Sequence, residues 1–378
     1  MTMKKLNVLV PSVLALFVAS AAHAGATFDT PQGKLTLAGD VEYNFDMSHL
    51  NSTTAADLAD KSKGGTDHIG NSGRIDVTIS GERVLSNGNF GGFTVVPQVQ
   101  SNGTAASDDA FVTFGVKNDW AYKFGHFEAY DLTPAGQDTW AGGYEMYKAS
   151  EARGRNNSAM MINKLVGPMY YELGASYGDY SSGDSTNSNT LPVAGSNYLT
   201  SHMAAYKAHD PIVLRPVMAY TGDMVSAALG GEFNVITDAF QVNGVNGPVD
   251  LSKRNGVGGN VTFKVSPDLS IVTRAAYLSA VANNQFSVGA GAQYQNFWLG
   301  YLFGNEKVKA NTDLAIGDAK ADAHEVYASY KIPSVMGLDN FDMYLGAYWT
   351  QQLAKDAASA ALAKSTDYGS RVRFKYFF

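Results

Sequence analysis

The chain has 378 residues, 45% of them hydrophobic, and 28 Lys and Arg against 35 Asp and Glu give it a net charge of −7 at pH 7. That mild acidity argues against a nucleic-acid partner. The absence of cysteine excludes disulfides, thiol nucleophiles and thiolate metal sites.

At the amino terminus Lys4 and Lys5 precede an apolar stretch from Leu6 to Val18, followed by Ala22-His23-Ala24. A charged start, a hydrophobic run too short to span a bilayer and a small-residue exit predict a cleaved signal peptide over residues 1–24. Residues 25–378 are then expected to form a single domain, and losing Lys4 and Lys5 takes the net charge from −7 to −9. Beyond the signal there is no apolar run of the roughly 18 residues that a transmembrane helix requires. Apolar residues alternate instead.

Alternation is what a strand needs when one face meets lipid and the other meets water. Leu35, Leu37, Val41, Tyr43 and Phe45 fall on one face, with Lys34, Thr36, Asp40 and Glu42 on the other. Ile75, Val77 and Ile79 alternate with Arg74, Asp76 and Thr78. Later, Phe341, Met343, Leu345, Ala347 and Trp349 oppose Asp342, Tyr344 and Tyr348. The final stretch sets Tyr368, Val372, Phe374, Tyr376 and Phe378 against Arg371, Arg373 and Lys375.

About sixteen such segments are readable, centred near residues 40, 77, 97, 112, 122, 158, 173, 202, 218, 260, 274, 290, 302, 327, 345 and 373. An even number suits a single-chain barrel with both termini on the periplasmic side. Short turns at Ser86-Asn87-Gly88-Asn89, Asn118-Asp119, Gly167-Pro168, Asp210-Pro211 and Pro267-Asp268 interleave with long polar loops near 48–70, 128–150, 180–195, 226–252, 308–321 and 352–366. Short turns belong to the periplasm and long loops to the outside. The expected fold is therefore all-β: a transmembrane antiparallel barrel without linker or second domain. A soluble sandwich or propeller shares the alternation, but the signal peptide and the aromatic terminal strand count against it.

The stretch Tyr122-Lys123-Phe124-Gly125-His126-Phe127-Glu128-Ala129-Tyr130-Asp131, continuing Leu132-Thr133-Pro134-Ala135-Gly136-Gln137-Asp138, resembles the fifth strand and constriction loop of the general porins of Gram-negative outer membranes. Within them it is most like the raffinose-type glycoporins, which usually carry Arg where this chain has His126. The terminal strand likewise resembles the one by which such barrels are recognised for assembly, with Phe374, Tyr376 and Phe378 as its aromatic residues.

The resemblance implies a third long loop folded into the lumen. Its acidic residues Glu128, Asp131, Asp138 and Glu145 would face basic Arg74, Lys123, Arg153, Arg155, Arg371 and Arg373. Opposed charges across a narrow gap create a transverse field that orients dipolar solutes. Tyr130, Trp140, Tyr144, Tyr147 and Trp298 are candidate sugar contacts, although aromatic residues of barrels also serve as interfacial girdles and loop packing.

The implied activity is passive diffusion of small hydrophilic solutes and ions, sugars among them, through an outer-membrane pore without cofactor or metal. Expected partners are outer-membrane lipid and lipopolysaccharide, the barrel assembly machinery and two further copies in a homotrimer. The short second loop around Asn102 to Ser107 offers little of the latch that many porins extend to a neighbouring subunit. Two other classes remain open. A receptor or adhesin would use the external loops without an open lumen, and an outer-membrane hydrolase would need a catalytic constellation. His49, His68, His126, His202, His209 and His324 show no H-E-x-x-H spacing, and no G-x-S-x-G elbow is present.

Overall fold

The structure, a computed structural model, describes residues 25–53, 65–134, 136–137, 146–149, 159–177, 205–207, 212–314, 317–356 and 362–378. The predicted signal peptide lies outside the described residues. In chain order the strands are β1 (Ala26–Thr30), β2 (Gly33–Thr53), β3 (Thr66–Val84), β4 (Asn89–Gln100), β5 (Ala105–Val116), β6 (Trp120–His126), β7 (Ala159–Val166) and β8 (Met169–Tyr177). There follow β9 (Ala205–Lys207), β10 (Ile212–Thr221), β11 (Val225–Asn234), β12 (Phe240–Gly244), β13 (Gly247–Asp250) and β14 (Arg254–Lys264). The last six are β15 (Leu269–Ala280), β16 (Asn283–Tyr294), β17 (Phe297–Val308), β18 (Ala319–Ile332), β19 (Phe341–Asp356) and β20 (Leu362–Phe377).

Leaving aside β1, β9, β12 and β13, these strands form a closed antiparallel barrel of 16. Each pairs with its neighbours, β8 pairs with β10, β11 with β14, and the ring closes where β20 pairs with β2. Closure matters because an unpaired backbone edge has no water to bond in a bilayer. No described helix is long and apolar enough to cross a membrane. The strands do the crossing.

The alternation sets which face each residue takes. Leu229, Val257, Leu299, Leu345 and Tyr376 are among the exposed outward apolar residues, while Glu232, Glu306, Glu325, Asp342 and Arg373 are buried on the inner face. At the periplasmic end Phe341 stacks on Phe374 at 6.0 Å and meets Tyr376 edge-on at 6.3 Å, forming part of a lower aromatic girdle. Phe378 exchanges two backbone hydrogen bonds with Gly39, at 2.9 and 3.0 Å. Below that point β20 has ended, and β1 takes over the vacated edge of β2 from Gly33 to Leu37.

Two sequence expectations need correction. Val225–Asn234, assigned to the start of the long loop 226–252, is the barrel strand β11. Its small residues Ser226, Ala227, Ala228, Gly230 and Gly231 blur the alternation that larger side chains would show. The segment centred near residue 202 supplies no barrel strand: β9 pairs with β12, which pairs with β13, in a separate three-stranded sheet. In the barrel the neighbour of β8 is β10, and Asp210-Pro211, expected as a short periplasmic turn, lies outside the described residues. That role falls to the connection between β10 and β11, where the Gly222 amide donates to the Val225 carbonyl at 2.9 Å.

The outer three-stranded sheet is tied to the connection between β17 and β18. Asn246 Nδ2 donates to Asp313 Oδ1 at 2.8 Å, and the Val245 amide donates to the Asp313 carbonyl at 2.6 Å. Beneath it lies an apolar cluster of Met146, Val308, Leu314, Ala319, Ala321 and Ala323, with Val249 and Leu251 packed against it.

Candidate functional site: the lumen and its lining loop

The chain leaving β6 at His126 runs along the inner face of the barrel rather than away from it. Its anchor is Arg215 on β10, which is 1% exposed. Arg215 Nη2 donates to the Tyr130 carbonyl at 2.6 Å and to the Ala149 carbonyl at 3.4 Å, so one guanidinium holds both limbs of the loop. Two carboxylates balance its charge, Glu172 on β8 at 3.3 Å and Glu232 on β11 at 3.4 Å. Tyr147 from the returning limb donates its hydroxyl to Glu232 at 2.7 Å. A buried cation survives only when paired and hydrogen-bonded on most of its donors; here the loop backbone supplies part of that pairing.

Apolar packing adds to the anchor. Leu132 is fully buried in a cluster with Tyr147, Ala149, Tyr170, Val217, Ala219, Ala228, Ala276 and Leu278. Full burial of one such leucine contributes about 1.5–3 kcal/mol. Tyr130 stacks on Tyr170 with centroids 5.5 Å apart. Burial, together with the Asp131 and Glu172 carboxylates, raises the Tyr130 hydroxyl above its ordinary pKa, so it stays protonated at neutral pH. Farther along, Asn260 Nδ2 donates to the Leu132 carbonyl at 3.0 Å, and Arg274 donates to the Pro134 carbonyl. Gln137 donates to the Asn296 carbonyl at 2.9 Å and accepts from Ser329 at 2.5 Å.

Glycines on the strands leave the room this loop fills. A Cβ on Gly256 would strike the Tyr147 ring, and one on Gly291 would strike the Trp298 indole. Trp298 is 3% exposed, lying between Gly291 and the loop's Gly136, with Tyr327 at 6.4 Å. Tyr147 is 1% exposed. The faces of these two candidate sugar contacts are thus taken up by packing between loop and wall.

The opposite wall, β19 and β20 joined to β2, β3 and β4, carries a ladder of paired charges. Arg371 binds Asp46 at 2.6 Å, and Arg373 reaches Glu42 at 3.2 Å and Asn44 at 2.7 Å. Lys375 lies 3.4 Å from Asp40, and Arg74 lies 3.0 Å from Asp76, which also accepts from Gln98 at 2.7 Å. Lys331 at the end of β18 pairs with Asp342 at 2.7 Å. The predicted basic residues Arg74, Arg371 and Arg373 therefore stand in a row with their own carboxylates, and the wall is mixed in charge rather than basic.

Lys123 takes a different place. It sits at the root of the loop, its Nζ 4.3 Å from the Phe111 ring and 5.0 Å from the Phe127 ring. Of the predicted acidic set, Glu128 and Asp131 lie in the described limb, and Asp131 accepts from the Thr133 amide at 2.9 Å. Asp138, Trp140, Tyr144, Glu145, Arg153 and Arg155 lie outside the described residues.

Sequence reasoning missed Arg215, Glu172, Glu232 and Arg274. A signal was present: Val213, Val217 and Ala219 are apolar on the inner face of β10, as Ile212, Leu214 and Met218 are on the outer. A strand apolar on both faces needs a cover on each side, and the inward arginine among those residues marks where the cover is held.

The sequence matches the family model described as porin-like glycoporin RafY over residues 37–378. A search of curated proteins gives no match. Among solved structures, the outer-membrane channel DcaP of Acinetobacter baumannii is similar at 16% identity and TM-score 0.59, over 93% of this chain and 100% of that one. An anion-selective porin from Comamonas acidovorans gives 13% identity and TM-score 0.55, over 91% and 99%. OmpF of Salmonella typhi gives 11% identity and TM-score 0.56, over 93% and 100%. At these identities the likeness shows a shared fold. The family match, running from near the start of β2 to the carboxyl terminus and so taking in every strand of the closed barrel, shows more: this chain belongs to the porin-like glycoporin family of outer-membrane channels.

Proposed function

We propose that the barrel is a water-filled diffusion channel, narrowed by the loop after β6, through which small hydrophilic solutes and ions pass without covalent chemistry. The observation that carries this reading is the division of the lumen into a loop-covered wall anchored by Arg215 and a facing wall of alternating cations and carboxylates. A wall offering donors and acceptors in close succession replaces part of a solute's hydration shell while leaving no single deep trap. Hydroxyl-rich solutes fit that pattern, and saccharides are the class we assign. Tyr344 and Tyr348 lie on the inner face of β19 beside these charges, and Tyr348 donates to Asp367 at 3.0 Å. Tyr344 is buried at 9% exposure, so of the two it is Tyr348 that offers aromatic surface on the open side, where Trp298 and Tyr147 do not.

Family membership supports assembly as a homotrimer, each protomer carrying its own channel. The signal peptide over residues 1–24 and the assembly role of Phe374, Tyr376 and Phe378 belong to the same proposal. Single-channel conductance in a planar bilayer, with raffinose or a maltose-series oligosaccharide added on one side, tests the reading. Resolvable, concentration-dependent blocking by a sugar supports a saccharide channel. Open channels that no sugar interrupts would leave a general diffusion pore, and absence of conductance from folded protein would favour a receptor.

A further inference from the structure

One carboxylate on the loop-covered wall is buried without a cation. Glu306 on β17 is 0% exposed. Its Oε1 accepts from Asn283 Nδ2 at 2.5 Å and from Gln285 Nε2 at 3.3 Å, both on β16. Its Oε2 is buried with no hydrogen-bond partner, and the same holds for the side-chain oxygen of Gln285. Among the described residues no lysine, arginine or histidine pairs with Glu306. The contrast with the rest of the lumen is direct, since Glu42, Glu172, Glu232 and Asp342 each meet a cation.

The surroundings offer Glu306 no other relief. Its register partners are Gln285 on one side and Ala321 on the other. Val308, Ala319, Ala321 and Ala323 on the inner faces of β17 and β18 belong to the apolar cluster that Met146 joins from the loop after β6 and that Val249 and Leu251 of the outer sheet pack against. A carboxylate offers about four lone-pair sites. Two amides gathered on one oxygen leave the other oxygen uncompensated, and an ionised group taken out of water persists where a positive partner meets it.

We propose that Glu306 Oε2 and the side-chain oxygen of Gln285 hold a partly hydrated monovalent alkali cation between the barrel wall and the loop after β6. Oxygen ligands select hard cations. With a single carboxylate, a monovalent ion brings the site to neutrality, whereas a divalent one would leave a net positive charge buried. No group of three histidine, aspartate or glutamate side chains that could hold a metal ion of higher charge occurs among the described residues. The ion has a mechanical consequence. Two residues along β16 from Gln285, Ser287 Oγ accepts from the Tyr147 amide at 3.2 Å, and Met146 lies in the cluster beside Glu306. Neutralising the carboxylate lets the returning limb of the loop and the outer sheet seat on this wall, so the bound ion stabilises the narrowed barrel. Solute passage plays no part in this assignment, which stands or falls separately from the channel reading.

The test uses the folded full-length protein in detergent at constant ionic strength, with sodium chloride replacing N-methylglucamine chloride, whose cation is too large to enter. The unfolding temperature of wild type, read from heat-modifiable migration on a gel, is expected to rise saturably with sodium by roughly 2–4 °C. Proteolytic cleavage in the loop after β6 should slow several-fold over the same range. Glu306→Gln keeps the shape, removes the charge and supplies an amide that can donate to the Gln285 oxygen, so its unfolding temperature should be the same in both salts. Equal unfolding temperatures of wild type in the two salts, as a gap filled by water alone would give, or a full sodium response in Glu306→Gln, would overturn the proposal. Saturation of the same response by micromolar calcium would overturn the monovalent assignment. If Glu306→Gln fails to fold, Gln285→Leu serves: its sodium titration should move to about tenfold higher concentration, and an unmoved titration counts against the site.

Discussion

Arg371 on β20, the last strand, grips Asp46 on β2, the first strand of the closed barrel, its Nε at 2.6 Å and its Nη2 at 3.2 Å from the two carboxylate oxygens. The pair spans the seam where the barrel closes, and it faces the lumen. Neutralising it from one side exposes the other charge. Arg371→Gln with Arg373→Gln would leave Asp46 without its cation and Glu42 with Lys375 alone, at 3.8 Å. We expect the reversal potential in a salt gradient to shift toward cation preference, by roughly threefold in permeability ratio at 0.1 M and much less at 1 M, where the screening length is about 3 Å. An unchanged reversal potential would remove both arginines from the region that selects.

Removing Arg215 strands two buried carboxylates and frees two loop carbonyls at once. Breaking a buried pair in this way costs about 3–5 kcal/mol, and part of that cost acts directly on the loop. Arg215→Leu should therefore give larger, noisier single channels and a lower unfolding temperature. Arg215→Lys keeps the charge without the forked donors and should fall between. Wild-type conductance in Arg215→Leu would show that the loop holds its place without this anchor.

Trp298 packs between two glycines, and its Nε1 has no hydrogen-bond partner among the described residues. Trp298→Phe thus forfeits no hydrogen bond and should keep channel properties near wild type. Trp298→Ala opens a cavity costing about 3–5 kcal/mol and should increase proteolytic cleavage in the loop after β6. Gly291→Val should resemble Trp298→Ala by expelling the indole. Sugar blocking that vanishes in Trp298→Phe while the loop stays protected would instead identify the indole as a contact for solute.

Deleting Phe378 removes the residue whose backbone bonds complete the ladder with Gly39. Export across the inner membrane should persist, while the amount of folded protein in the outer membrane falls several-fold, read by fractionation and gel migration. Normal assembly of the truncated chain would dissociate the terminal aromatic from recognition.

The terminal strand was legible because Phe374 and Tyr376 alternate with Arg373 and Lys375, large side chains of opposite character that make the two faces plain. Strand β11 was not, because alanine and glycine fit either face and carry almost no polarity signal. The charged ladder was half legible. Phase alone placed Arg371 and Arg373 inward, but their partners stand on β2, more than three hundred residues earlier, and phase does not give cross-strand register. Arg215 was harder still, since its partners Glu172 and Glu232 lie 43 and 17 residues away on separate strands. An isolated arginine in an apolar strand reads as an exception until the fold supplies its neighbours.

The loop's anchors fall on β10, β11, β14, β15, β16 and β18, whereas most of the charged ladder falls on β19, β20, β2, β3 and β4. Two determinants of passage are thus written in different stretches of the gene. Substitutions in one arc reshape the aperture while leaving the charges of the other intact, so a lineage can retune size and electrostatics in separate steps. Because the ladder joins the two ends of the chain across the seam, exchanging the loop-bearing arc while keeping the charges takes two breaks, one after β4 and one between β18 and β19; a single break would part Arg371 and Arg373 from Asp46 and Glu42.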